Sequence, residues 1–121
     1  MARRAGLAAL VLLVLSAQAA SAENAARPPT IGSKSFTESV ILGEILAGLA
    51  RKGGQPATHR RQLGGTRILW SALLRGDIDA YPEYTGTITQ EILSGEKLSG
   101  TASIAEALAR RGIAMTAPIG F

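Results

Sequence analysis

The stretch Thr30-Ile31-Gly32-Ser33-Lys34-Ser35-Phe36-Thr37-Glu38 changes period in its middle, and that change sets the fold class. Thr30 to Gly32 is a short β-branched opening that suits a strand. From Ser35 the pattern turns helical. Ser35 and Glu38 stand at capping-box spacing, and Leu42, Ile45, Leu46 and Leu49 follow three and four residues apart. This helix is predicted to end in Arg51-Lys52-Gly53-Gly54, because cations suit a helix C-terminus and glycine takes the left-handed cap.

The same alternation continues toward the C-terminus. Thr58 to Leu63 reads as a second strand, stopped by the Gly64-Gly65 turn. Thr66 is placed to cap a helix with Leu69, Trp70 and Leu73 on one stripe and Gly76 as terminator. Ile78 to Tyr81 reads as a third strand, bounded by Asp77 and Pro82. A further helix is predicted from Thr87, with Gln90 at the capping-box position and Ile88, Ile92 and Leu93 as its apolar side. Another runs from Ser103 with Glu106, carries Ile104, Ala107 and Leu108, and ends at Gly112. Strand and helix alternating three times predict an α/β fold, a parallel sheet with flanking helices and right-handed crossovers. Gly43 and Gly48 each cost that first helix about 1 kcal/mol relative to Ala, which predicts that it lies close against the sheet.

Toward the N-terminus the reading is one of targeting. Residues 23–29 form a polar, Pro-containing lead-in without periodicity. Before it, Arg3 and Arg4, an apolar run from Ala5 to Ala17 and Ala20-Ser21-Ala22 have the order of a secretory signal peptide, residues 1–22, with cleavage after Ala22. A periplasmic product is expected. Losing Arg3 and Arg4 halves the formal net charge of +4, so the pI near 10.1 overstates the basicity. An exported chain with that small an excess has neither the compartment nor the field for nucleic acid. The absence of Cys excludes disulfides, thiolate metal sites, a Cys nucleophile and a lipid-carrying Cys.

In an open parallel sheet, ligands collect outside the carboxyl ends of the strands, where helix N-termini also favour anions. Three segments fall there: Ser33 to Glu38, Gly64 to Thr66 and Tyr81 to Thr87. Lys34 could meet a ligand carboxylate, or pair with Glu38 or Glu83 as solvated surface. The chain's two tyrosines, Tyr81 and Tyr84, share one loop; their faces attract cations, and the competing reading is local core packing. Thr87 could present its hydroxyl to a ligand or serve as a plain N-cap. Trp70 reads as core. His59 beside Arg60 and Arg61 reads as part of a solvated basic face, and a single His builds no metal site. Asp79 and Glu83 lack a nucleophile or an orienting partner, and Ser33 stands where a phosphate loop needs Gly, so no enzyme is expected.

Taken together, Ile31 to Glu38, Leu63-Gly64-Gly65-Thr66 and Gly76-Asp77-Ile78-Asp79-Ala80-Tyr81-Pro82-Glu83-Tyr84-Thr85-Gly86-Thr87 closely resemble the periplasmic substrate-binding proteins of glycine betaine, choline and carnitine ABC transporters. The resemblance runs from Pro29 to Phe121 and covers the opening part of a family member. It implies a two-lobed periplasmic binding protein fold, of which residues 30–121 are part of the first lobe. It further implies a small quaternary ammonium ligand and a membrane permease as partners, and no cofactor. Carried over by motif, Tyr84 joins the cation cage, while Lys34 and Thr87 meet the ligand carboxylate. Thr66 and Tyr81 lie in the same motifs. Arg67 departs from the pattern by placing a cation where the family uses an acid or hydroxyl. The reading from another class is an exported α/β remnant or interaction module that binds nothing by itself.

Overall fold

The computed structural model describes residues 27–120. Strand β1 (Thr30–Gly32) pairs in parallel with β2 (Thr58–Arg60), in the register Thr30↔Thr58, Ile31↔His59 and Gly32↔Arg60. Helix α1 (Thr37–Lys52) connects them, and α2 (Thr66–Arg75) follows β2. A short α3 (Thr85–Thr87) runs straight into a π-helical segment (Ile88–Ile92), and α4 (Gly100–Ala109) comes last. This is the expected α/β architecture, built on shorter strands.

The third strand is reduced to one parallel bridge between Ile31 and Ala80. Gly32 donates to the Ala80 carbonyl at 2.9 Å and Asp79 to the Thr30 carbonyl at 2.8 Å, so the segment lies against the other edge of β1. Pro82, which has no N–H to give, stops the ladder from extending. The second strand likewise ends three residues before Leu63, and Gln62 takes a positive φ of 52°.

Successive side chains on β1 point to opposite faces, and each face meets one helix. Ile31 packs with Ala47 and Ala57 under α1. On the Gly32 side lie Leu69, Ala72 and Ile78 with α2. A Cβ on Gly32 would come within 2.8 Å of the Ile78 Cδ1 and 3.0 Å of the Leu69 Cδ1, so α2 owes its closeness to that glycine. A further apolar cluster joins Ile88, Leu93, Ile104, Ala107 and Leu108, with Trp70 packed against it. Trp70 is thus a core residue as expected, although it faces a different cluster from Leu69 and Leu73.

Helix ends follow the sequence closely at their C-termini and poorly at their N-termini. Gly76 takes the left-handed cap of α2 at φ 77°. After α1 it is Gly54, at φ 89°, and not Gly53 that turns left-handed. The capping box is absent: α1 starts at Thr37 behind Phe36, and Ser35 is exposed. The buried Ser39 hydroxyl instead accepts from the Lys34 N–H at 2.8 Å and so fastens the loop. Thr66 is the first helical residue of α2, behind Gly65, and Thr87 lies inside α3 behind Tyr84, so neither is an N-cap. Helix α4 begins at Gly100, and Ser103 receives the Ser99 N–H from within the first turn.

Helix α1 shows its small face to the sheet: Ser39, Gly43 and Ala47 are its buried residues. A Cβ on Gly43 would meet the His59 Nε2 at 2.5 Å, the close approach predicted for it, whereas Gly48 has nothing within 4 Å. Of the expected apolar stripe, Leu42 and Leu46 are half-buried, while Ile45 and Leu49 are exposed.

Candidate functional site

Three loops converge at the carboxyl end of the sheet. Ser35 donates to the Gly64 carbonyl at 3.1 Å and Leu63 to the Ser33 carbonyl at 2.9 Å, which binds the β1–α1 loop to the β2–α2 loop. Lys34 then ties both to the third. Its ammonium donates to Glu83 Oε1 at 2.6 Å and to the Thr66 hydroxyl at 3.0 Å. This pair is not solvated surface, because the Lys34 and Glu83 side chains are only 8% and 7% exposed.

Glu83 Oε1 also accepts from the Tyr84 N–H at 3.0 Å, which sets the start of α3. Its other oxygen, Oε2, is buried and makes no hydrogen bond among the described residues. Tyr81 lies close enough for desolvation and then the Glu83 carboxylate to push its phenol well above the ordinary range. Tyr81 also packs with the Leu69–Ile78 cluster, as the core reading had it.

Tyr84 stands on the outer side of this pair. Its ring stacks on Phe36 with centroids 6.5 Å apart and planes 22° apart. Partial desolvation, a hydrogen bond to the Glu38 carboxylate and the charges of Glu38 and Glu83 raise its phenol. The neutral ring with an electron-rich face therefore persists at any physiological pH. Thr87 is half-buried one turn further along, and among the described residues no hydrogen bond joins it to the Lys34 cluster. Arg67 is exposed.

The structure thus joins Lys34, Thr66, Glu83 and Tyr84 directly and leaves Thr87 beside them. Sequence reasoning missed Phe36 and Glu83 as members of this cluster. Phe36 was legible only as an aromatic next to the Ser33-Lys34-Ser35 turn; its stacking on Tyr84 is a tertiary contact. Glu83 was visible as a partner of Lys34, but its burial was not. Asp79 does not pair with it: Asp79 takes Arg27 at 2.6 Å and the Thr30 N–H at 2.7 Å.

His59 overturns the reading of a solvated basic face. Its side chain is only 3% exposed, with Nδ1 2.8 Å from Glu44 Oε2 and Nε2 2.8 Å from Ser33 Oγ. Hydrogen bonds from His59 and then Arg51 hold the Glu44 carboxyl down at about 2. A serine, a histidine and a carboxylate in line resemble a hydrolytic triad, but the ends are reversed. Ser33 is 0% exposed, where a nucleophile must meet substrate, and the solvent-facing end is the acid. The chain of bonds instead ties α1 to β2 through Gly43, the only residue type that leaves room for the imidazole.

Residues 28–120 match the family described as the substrate binding domain of ABC-type glycine betaine transport system, OpuAC. The chain belongs to this family. It is a transporter substrate-binding family and not an enzyme family. Among its curated relatives, the chain is similar to the glycine betaine-binding protein YehZ of Escherichia coli, with 39% identity over 74 residues, 61% of this chain and 24% of that protein. It is also similar to the ergothioneine transport permease/ergothioneine binding protein EgtU of Helicobacter pylori, with 44% identity over 62 residues, 50% of this chain and 11% of that protein. The chain spans a small part of the length of either relative. Within the OpuAC domain, the segments that converge around Lys34 are the ones whose motifs carried the resemblance.

Proposed function

We propose that residues 30–121 form part of the first lobe of the solute-binding component of an ABC importer for quaternary ammonium compatible solutes such as glycine betaine, choline or carnitine. The observation that carries this reading is the convergence of Lys34, Thr66, Glu83 and Tyr84 at the carboxyl end of the sheet. A lysine ammonium has three N–H donors, and Glu83 and Thr66 take two. The third is available to a ligand carboxylate, with Thr87 beside it. A trimethylammonium group donates no hydrogen bond, so it is recognised by ring faces and negative charge. Tyr84, backed by Phe36 and bordered by Glu38, supplies both, and Tyr81 lies behind. Glycine betaine and ergothioneine, the ligands in the relatives' names, both join a trimethylammonium to a carboxylate. Substrate-binding proteins of this family are periplasmic or extracellular. We place this chain in the periplasm by way of a signal peptide, residues 1–22; that segment lies outside the described residues.

A single lobe leaves the cation mostly in water. One or two ring contacts of about 0.5–2 kcal/mol each scarcely exceed the roughly 4 kcal/mol that a 1 mM dissociation constant represents. Titrating the chain with glycine betaine while following its backbone amide resonances tests the site. Millimolar binding with shifts confined to 33–38, 64–67 and 81–87 is expected. Unchanged resonances at saturating ligand would favour the non-binding remnant, and shifts elsewhere would relocate the site.

A further inference from the structure

Helix α1 exposes three large aliphatic side chains on one line: Ile41 at 54%, Ile45 at 52% and Leu49 at 61%. At 100° per residue they occupy an arc centred on Ile45, opposite the buried Ser39, Gly43 and Ala47. Three such side chains make a strip on the order of 300 Å², within the size range of the largest apolar patch on a typical monomer, which is often functional. Glu38 and Lys52 close the two ends of the same arc. Both are exposed, and neither forms an ion pair among the described residues.

The order of these residues matters more than their hydrophobicity. Glu38 and Lys52 are equidistant from Ile45, and so are Ile41 and Leu49. The strip reads acid, aliphatic, aliphatic, aliphatic, base, with Ile45 at its centre. Laid antiparallel on a copy of itself, it sets Glu38 against Lys52 at both ends, Ile41 beside Leu49 twice, and Ile45 on the two-fold axis. A surface complementary to its own image is what an isologous contact requires. Laid parallel, it would oppose Glu38 to Glu38 and Lys52 to Lys52.

Gly48 supplies a second observation. It sits mid-helix on the flank of the strip, where glycine costs about 1 kcal/mol relative to Ala. A Cβ there would meet nothing within 4 Å, so nothing among the described residues calls for it. Against a second helix the missing side chain lets the backbones approach. A pairing that follows the strip over its length of about 21 Å needs a shallow crossing, near the 20° of helices packed ridge into groove.

We propose that the α1 face formed by Glu38, Ile41, Ile45, Gly48, Leu49 and Lys52 is a self-association surface, and that its occupant is the same face of a second copy in antiparallel orientation. The assignment shares Glu38 with the ligand reading, where that side chain borders Tyr84, and rests on Ile41, Ile45, Gly48, Leu49 and Lys52 apart from it. Two strips with their charged ends bury on the order of 800 Å² in total, below the size of a permanent interface, so the dimer is weak and exchanging. A dissociation constant of roughly 100 µM is expected.

Sedimentation of the chain as recovered from the host cell, between about 10 µM and 1 mM, reads this directly. A reversible monomer–dimer equilibrium is expected. Ile45→Glu and Glu38→Lys should each weaken it at least tenfold, while circular dichroism stays unchanged because both side chains are exposed. The decisive variant is Glu38→Lys with Lys52→Glu, which restores both ion pairs in an antiparallel homodimer and in no complex with an unrelated partner. Because the chain has no Cys, Ile45→Cys provides a single thiol on the axis and should oxidise to a disulfide-linked dimer. A chain that is monomeric throughout overturns the proposal. So does a dimer indifferent to Ile45→Glu, or one that the double charge reversal fails to restore, which would assign the face to another occupant.

Discussion

Removing one member of the Lys34–Glu83 pair is expected to cost far more than removing both. The two side chains meet at 2.6 Å and are 8% and 7% exposed. In Lys34→Met the stem volume is retained but the Glu83 carboxylate loses its only cation among the described residues and keeps the Tyr84 N–H and the neighbouring Tyr81 hydroxyl. A buried charge left so poorly compensated costs about 3–5 kcal/mol. A folded chain of this length is expected to be stable by at most roughly 5–14 kcal/mol, so this one substitution consumes a large share of it. For a domain of this size the corresponding fall in Tm is on the order of 20 °C. Lys34→Met with Glu83→Gln removes both charges together, and its stability should return to within about 2 kcal/mol of the parent, because the desolvation of both ions is relieved at once. Urea unfolding of the four proteins, followed by far-ultraviolet circular dichroism, closes the cycle. Additive losses, or a cost for Lys34→Met below about 1 kcal/mol, would show that water reaches the pair and that it is an ordinary surface contact.

Two glycines in one helix should respond with opposite sign. Gly43→Ala drives a methyl into the His59 imidazole and should cost about 1–3 kcal/mol, whereas Gly48→Ala should stabilise the dilute monomer by about 1 kcal/mol; denaturant midpoints compare them. Glu44 has a folded pKa of about 2 against an ordinary 4.5. A depressed carboxyl pKa stabilises the fold above the unfolded value, and this contribution is lost as pH falls from about 4.5 toward 2. Unfolding midpoints should drop across that window, and Glu44→Gln should remove part of the drop, with the rest belonging to Glu96, which Arg111 lowers in the same direction. In the amide titration with glycine betaine, Tyr84→Phe should keep most of the shift at 81–87 and Tyr84→Ala should lose it, since on the proposed reading the ring face and not the hydroxyl meets the cation; equal losses would remove Tyr84 from the site.

Elements that depend on local chemistry were readable in the sequence. The end of α1 at Lys52, the left-handed Gly76, the opening strand and the approach demanded by Gly43 all follow from residue type and spacing. What was not readable depends on competition between partners. Ser35 and Ser39 are both plausible acceptors near the start of α1, and Ser39 prevails because it lies on the buried face and can reach the Lys34 N–H. Thr66 gives up capping because its hydroxyl accepts from an ammonium, a stronger donor than a backbone amide. His59, followed by Arg60 and Arg61, looks exposed until Gly43 is seen to open a slot for it. The third strand shrinks because one bridge satisfies Gly32 and Asp79 and proline follows at once. At the candidate site, motif and loop position brought Lys34, Thr66 and Tyr84 together, while the burial of Glu83 is a tertiary property with no sequence signature.

Strands of three residues supply few ladder bonds, so the fold needs other fasteners, and two adjacent residues provide them. Ser33 and Lys34 leave β1 on opposite sides. Ser33 turns toward His59 and Glu44 and pins the strand to β2 and α1. Lys34 turns toward Thr66 and Glu83 and pins it to α2 and α3. Each connection is nearly dry at its inner end and reaches solvent or the loop mouth at its outer end. Neutral hydrogen bonds would hold the loops less firmly than these charge-assisted ones. In the function proposed above, a dipeptide that anchors both layers would also fix the direction of the third Lys34 N–H before any ligand arrives. On the proposed reading, that preorganisation lowers the cost of ordering the site for a ligand.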